Sequence, residues 1–237
     1  MRVTRKPINI VIVTALLAAC TGNTASPAAE IAKVESVASN IGYEWQQIME
    51  ELPDENSPAG YWETDVRYPR FFSAEKDYEL RPLNIQLEAL HEKYSCTKRG
   101  DTSFSVDIKY ISDGLVSLTY DAMWFCPNMV TPDSRSGVLN YNPKAGKNLV
   151  LADEIADGKA DSLKRLLTKK AEQEANNGNE ACHRSPAFDQ SYRDDDMIVF
   201  RFSKEEHSVE DCLISLPHDQ LESYFKQGSP FISANIR

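Results

Sequence analysis

The sequence predicts an α+β fold, a largely antiparallel sheet with helices packed on one face, and three observations carry that reading. Two strictly alternating runs are joined by a tight turn, two other stretches place apolar residues at helical spacing, and the elements follow the order strand, helix, hairpin, strand, helix, hairpin, helix.

Before the domain come two segments of a different kind. Arg2, Arg5 and Lys6 precede an uncharged, mostly apolar run from Ile8 to Leu17, which ends in Leu17-Ala18-Ala19-Cys20. This is the pattern of a lipoprotein signal peptide over residues 1–19: basic start, short apolar stretch, small residues for the peptidase, then a thiol to be acylated at Cys20. The apolar run is half of the roughly 20 helical residues that a bilayer crossing requires, so it reads as an export signal. Several acyl chains on one residue hold a membrane far more firmly than one, at about 0.8 kcal/mol per buried methylene. Thr21 stands where an aspartate would signal inner-membrane retention, which points to the periplasmic face of the outer membrane in a Gram-negative cell. Residues 20–40 are small and polar, and read as a tether.

A single domain is expected over residues 41–237, with halves at about 60–130 and 131–228. Ile41, Trp45, Ile48 and Leu52 lie at helical spacing before Pro53, which predicts a short amphipathic helix. Tyr61 to Tyr68 alternates and predicts a strand. Pro82 suits a first helical turn, and Leu83, Leu87, Leu90 and Tyr94 give one apolar stripe, so a helix is expected near 78–95 with Cys96 at its end. Phe104, Val106, Ile108 and Tyr110 then alternate with Ser105, Asp107 and Lys109. After Ser112-Asp113-Gly114, the residues Val116, Leu118, Tyr120, Ala122 and Trp124 alternate with Ser117, Thr119, Asp121 and Met123. That is a hairpin with one buried and one wet face. Gly137 to Asn142 gives a further strand, and Leu163, Leu166, Leu167 and Ala171 mark a helix from about Lys159 to Asn176, ended by Asn176-Asn177-Gly178-Asn179. A second hairpin pairs Met197–Phe202 with Val209–Leu216 across a loop at 203–208. Pro217 opens a short last helix closed by Gly228.

Charge and cysteine usage narrow the function classes. The chain holds 26 basic and 36 acidic residues. Loss of the signal removes three basic residues and no acidic ones, leaving 23 against 36 and a net charge of −13. Such a surface repels phosphates and anionic headgroups, which excludes nucleic acid as a partner and favours cationic ones. With Cys20 spent on lipid, Cys96, Cys126, Cys182 and Cys212 remain, an even number that reads as two disulfides in an exported chain. Three connectivities are possible. If the first hairpin turns at Asp113, Cys126 lies across from a residue near Gly100, just past Cys96. Cys212 is on the returning strand of the second hairpin and Cys182 on the loop that feeds it, so Cys96–Cys126 and Cys182–Cys212 are the preferred pairs.

No catalytic constellation is legible. His91, His183, His207 and His218 sit in unrelated surroundings, and no nucleophile elbow, His-Glu-x-x-His or phosphate loop is present. No metal or cofactor site is expected. Asp194-Asp195-Asp196 lacks the alternate oxygen ligands, glycine and distant glutamate of a calcium loop and reads as a solvated turn. Glu50-Glu51 and Glu205-Glu206 read as wet faces. Trp124, Phe125, Pro127 and Met129 form an apolar stretch in which Trp124 continues the buried face, or else an exposed patch for a partner.

The run Val138-Leu139-Asn140-Tyr141-Asn142-Pro143-Lys144-Ala145-Gly146-Lys147-Asn148-Leu149-Val150-Leu151-Ala152-Asp153-Glu154-Ile155 resembles the strand, N-x-x-x-G-K, L-x-L-x-D signature of an envelope domain family. That family is shared by the extracellular part of lysozyme-sensing anti-sigma factors and accessory regions of peptidoglycan deacetylases. Met197–Phe202 resembles its "lvFyF" strand, and Leu216–Phe225 its closing "iPyseLkpyl" helix. Residues 68–124 are similar to the half that precedes these motifs, so the resemblance spans about 60–228. Where members often carry a Gly-Ala-His-Pro-like loop, this chain has Phe125-Cys126-Pro127-Asn128. The resemblance implies a non-enzymatic binding or sensing module whose partners are lysozyme or cell-wall glycan. The alternatives are a peptidoglycan-acting hydrolase assembled only in three dimensions and a structural lipoprotein without a soluble ligand.

Overall fold

The computed structural model describes residues 40–97, 99–178, 182, 187–202 and 212–233. The signal and tether with Cys20, the 203–208 loop, His183 and His207 lie outside the described residues.

Two antiparallel strands, β1 (Ile41–Pro53) and β2 (Tyr61–Ser73), open the domain. The helix expected at 41–52 is therefore a strand. Its apolar positions fit either period: as a strand, Ile41 and Trp45 fall on one face, Ile48 and Leu52 on the other. Pairing along the full length of β2, from Ile41↔Ser73 to Pro53↔Tyr61, decides the matter. Asp54 organises the turn between them. Its carboxylate accepts from the Asn56 backbone N–H at 3.0 Å, from Trp62 Nε1 at 3.0 Å and from Arg99 Nη1 at 2.7 Å, while its own N–H donates to Gly60 O at 3.0 Å.

Helix α1 (Arg81–Lys93) buries Leu83 and Leu87 and carries Pro82 in its first turn, as its spacing predicts. It crosses over to β3 (Asp101–Ile111), which runs parallel to β2 over Thr64–Arg67. This four-residue ladder is the parallel exception in the large sheet. Beyond it, Asn84 takes over as neighbour to β2: its side chain accepts from Phe71 N at 2.8 Å and donates to Phe71 O at 2.9 Å. From there the chain returns as β4 (Val116–Phe125), β5 (Asp133–Asn142) and the short β6 (Lys147–Asn148), giving a six-stranded sheet in sequence order.

A bulge in β3 divides the interior. The register with β4 slips between Ile108 and Tyr110, so Lys109 is the extra residue. Phe104, Val106 and Ile111 join the core beneath α1, whereas Tyr110 turns to the opposite side and packs with Leu115 in a second core. The simple alternation expected through Tyr110 fails at this residue for that reason.

The second core lies between a three-stranded antiparallel sheet and α2 (Ala160–Asn176). A 3₁₀ turn at Leu151–Glu154 leads into α2, which buries Leu163, Leu167, Ala171 and Ala175 at four-residue intervals and ends at Asn177, with Gly178 at φ 101°. The small sheet comprises β7 (Ala187–Asp194), β8 (Met197–Phe202) and β9 (Cys212–Pro217). α3 (His218–Leu221) follows and packs Leu221 into this core. Sequence reading did not find β7.

A line of buried polar groups joins the two sheets. Ser117 Oγ donates to Asn140 Oδ1 at 2.6 Å, Asn140 Nδ2 to Ser191 O at 2.8 Å, and Arg193 N to Ser117 Oγ at 3.3 Å. Arg193 is wholly buried. Its Nε donates to Asp195 O at 2.9 Å and its Nη1 to Pro230 O and Ser233 O at 3.1 and 2.8 Å, with the guanidinium 4.0 Å above the Tyr110 ring. Burial lowers its pKa from the ordinary arginine value.

Two outcomes are expected. Arg193→Met strips three backbone carbonyls of a charged donor and should lower stability by about 3–5 kcal/mol in chemical denaturation. The Asp54 carboxyl is held at about 2, below the ordinary 3.8, chiefly by its hydrogen bond from the Asn56 backbone and then by that from Trp62. A depressed carboxyl stabilises fully above the unfolded value, so this contribution is complete above about pH 4 and is lost as pH falls through 2. An NMR titration of Asp54 with a midpoint near 4 would contradict this.

Candidate functional site

Where the outer face of β3 and β4 meets the rim of the small sheet, the chain forms an open cleft of about 240 Å³. The floor is Asp107 and Lys109 from β3 with Thr119, Tyr120 and Asp121 from β4; Tyr192, Arg201 and Leu213 come one from each strand of the small sheet. Asp107 faces Thr119 across the ladder, and the bulge at Lys109 sets that lysine beside Asp107, with Nζ 3.4 Å from Oδ2. Arg201 donates from Nη2 to Ser136 Oγ, which fixes the guanidinium over β5.

The electrostatics are balanced. Two carboxylates, a lysine and an arginine sum to zero, and the tyrosine and threonine hydroxyls both donate and accept. Burial raises the Tyr192 hydroxyl above its ordinary pKa, partly offset by Lys109 and Arg201. Burial, and then Tyr94, raises that of Tyr120. Tyr192 stays a protonated donor at neutral pH, whereas the Tyr120 ring lies on the α1 side of β4, stacked on Phe104 and Tyr94. Tyr120 is held by a close approach to Gly137, its cross-strand partner: a Cβ on Gly137 would lie 2.5 Å from the Tyr120 ring. Such a cleft can grip a neutral, polyhydroxylated ligand, whose hydroxyls take donors and acceptors in alternation.

The residues singled out in the sequence are spread widely. Cys20 is outside the described residues. The four remaining cysteines form the preferred pairs: Cys96–Cys126 with Cα atoms 5.6 Å apart, and Cys182–Cys212 at 4.8 Å. The hairpin register sets Asp101 across from Phe125, which places Gly100 beside Cys126 as expected. Gly100 has φ 137°, and a Cβ there would lie 2.4 Å from Cys96 Sγ, so the bridge depends on a glycine at this position. His91 lies between the rings of Tyr68 and Phe104, at 6.1 and 6.0 Å, where burial lowers its pKa. His218 Nδ1 is 4.0 Å from Asp196 Oδ1. Neither lines the cleft. Asp195 and Asp196 make the turn between β7 and β8, Asp195 with φ 47°. Trp124 is half-buried and stacks on Tyr94 at 5.3 Å, and Phe125 rests against Trp62 at 6.3 Å, in keeping with the buried-face reading. Among the described residues there is no metal-binding group of three or more His, Cys, Asp or Glu side chains, and no helix is long and apolar enough to cross a membrane.

The motif quoted at 138–155 has structural work to do. Asn140 is the buried link between the sheets. Asn142 Oδ1 accepts from Ala145 N at 2.9 Å to form the turn, in which Gly146 adopts φ 64°. Leu151 is fully buried in the second core.

A scan against protein-family models returns no match, and neither does a search of curated proteins. Solved structures do match. A DUF3298 family protein from Pseudomonas aeruginosa PAO1 is similar at TM-score 0.54 and 15% identity, over 77% of this chain and 94% of that one. A member of the same family from Bacteroides fragilis NCTC 9343 is similar at TM-score 0.56 and 14% identity, over 79% and 94%. The fold is thus the one these DUF3298 proteins adopt.

Replacing both Cys96 and Cys126 by serine opens a loop of 30 residues and should lower stability by about 3–4 kcal/mol in urea denaturation under oxidising conditions. Under full reduction, wild type and variant should then unfold together.

Proposed function

We propose that this chain is a lipid-anchored protein of the bacterial envelope that binds cell-wall glycan in the cleft between its two sheets, and acts by binding rather than by turnover. The cleft carries this reading. Its zero net charge, paired donors and acceptors and tyrosine lining suit a sugar better than an ion, because each hydroxyl meets both a donor and an acceptor and a ring face can lie against sugar C–H groups. Support for the placement comes from the lipobox ending at Cys20 and from the two disulfides. The periplasmic face of the outer membrane is the proposed site. A cationic protein such as lysozyme is the second partner type, supported by the net charge of −13 left after signal removal.

Titrating the purified full chain with defined peptidoglycan fragments, and separately with lysozyme, tests the partner classes. Asp107→Asn and Lys109→Gln remove one charged acceptor and one charged donor. Each should weaken glycan binding about tenfold, the loss expected for a charge-assisted hydrogen bond, without moving the melting temperature. Binding that ignores both substitutions would remove the cleft from the proposal. Cys20→Ser should abolish incorporation of labelled fatty acid and leave the leader uncleaved; a wild type that takes up no fatty acid would overturn the anchoring.

A further inference from the structure

The geometry points to the outer edge of β1 as a docking surface that takes up a basic, extended segment of a partner protein as an added strand of the large sheet. It is a separate surface from the cleft.

β1 is the terminal strand of the six, and among the described residues it pairs with β2 alone. Terminal strands normally carry protection against strand addition: shortness, a bulge, charged side chains and above all lysine, a proline in mid-strand. Of these β1 has only charge, and only as glutamates, which repel acidic strands and admit basic ones. It is 13 residues long, its register with β2 runs without a break, it holds no lysine or arginine, and its only proline is its last residue. The turn at its far end is fixed by the Asp54 hydrogen bonds, and the Arg67 guanidinium lies 4.0 Å over the Trp45 ring further along. The edge is therefore presented as a firm template rather than a fraying end.

The chemistry of the occupant follows from the side chains. β1 contributes Glu44, Glu50 and Glu51. Glu51 stands directly opposite Glu63 of β2, and the next residue along that face of β2 is Asp65. Like charges placed opposite each other on a ladder destabilise it. Among the described residues, no basic side chain forms an ion pair with Glu50, Glu51, Glu63 or Asp65, whereas Glu44 has Arg70 at 3.6 Å and Asp54 has Arg99 at 2.7 Å. The far half of the hairpin is an uncompensated negative ladder. Met49 and Leu52, 63% and 46% exposed, give it apolar contact area beside the charges. A second copy of the chain is a poor occupant, because the fully overlapped antiparallel register, centred on Gln47, sets Glu44 against Glu50 twice. A strand bearing lysine or arginine opposite Glu50 and Glu51, with an apolar residue opposite Met49, satisfies both the backbone edge and the charge.

The probe is a 13-residue peptide of alternating valine and threonine with lysines at the two positions facing Glu50 and Glu51. Two controls accompany it, one with glutamate for lysine and one N-methylated at every residue of its central stretch, so that neither edge of the strand can donate. Binding to the full chain is read by fluorescence anisotropy, and its location by backbone amide exchange. The lysine peptide should bind and slow exchange within Gln46–Leu52. The glutamate peptide should not bind, and N-methylation should abolish binding. The variant Glu50→Lys/Glu51→Lys should lose at least about tenfold in affinity for the lysine peptide, the sum expected for two cross-strand charge pairs turned repulsive. That variant relieves the Glu51–Glu63 repulsion, so its melting temperature should not fall, and its titration with glycan fragments should match wild type. Equal binding of the N-methylated peptide, protection confined to another segment, or sedimentation showing dimers that the variant abolishes would each overturn strand addition by a basic partner.

Discussion

Everything in this fold leans on the polar contact between its two sheets. Ser117, Ser191 and Arg193 are completely buried and Asn140 nearly so, and each of these groups would cost about 1–3 kcal/mol if left without a partner. The cross-strand neighbours Ser117 and Asn140 of the large sheet meet Ser191 and Arg193 of β7, and little rotation or slip of one sheet on the other is possible without orphaning a donor or acceptor. Apolar packing from the two cores is less demanding about angle. The hydrogen bonds select one arrangement among many that would bury similar area, and the cleft exists only because that arrangement is selected.

The bulge at Lys109 makes the same point from the other side. One extra residue lets β3 serve two cores: Val106 and Ile111 face α1, while Tyr110 faces α2 and supports the Arg193 guanidinium. It also turns a lysine toward the cleft. Core division and site construction thus share a single backbone irregularity.

Much of this was written plainly in the sequence where local chemistry and tertiary need agree. The first hairpin announces its register through the turn at Ser112-Asp113-Gly114, and with it the proximity of Cys126 to Cys96. α1 and α2 show their buried stripes, and β8 and β9 pair as the expected second hairpin. Elsewhere the signal was ambiguous or absent. β1 offers Ile41, Trp45, Ile48 and Leu52 at spacings that satisfy a helix, and only β2 as partner overrules them. β7 mixes polar and aromatic residues, breaks its register and buries an arginine, so no periodicity marks it. The cleft was hidden for a related reason. Asp107, Thr119 and Asp121 look like the wet face of a hairpin, and nothing local says that Tyr192 and Arg201, some 80 residues further along, will close over that face.

The two disulfides have a property beyond their individual contributions. Each spans 30 residues, and they are consecutive rather than nested or interleaved, since Cys126 precedes Cys182. Wherever such a chain is threaded N-terminus first into an oxidising compartment, Cys126 arrives while the only earlier thiol in the domain is its own mate, and that covalent link can be complete before either later thiol has emerged. Vectorial delivery alone then favours the correct connectivity, and the need for a shuffling catalyst to undo wrong pairings is correspondingly small.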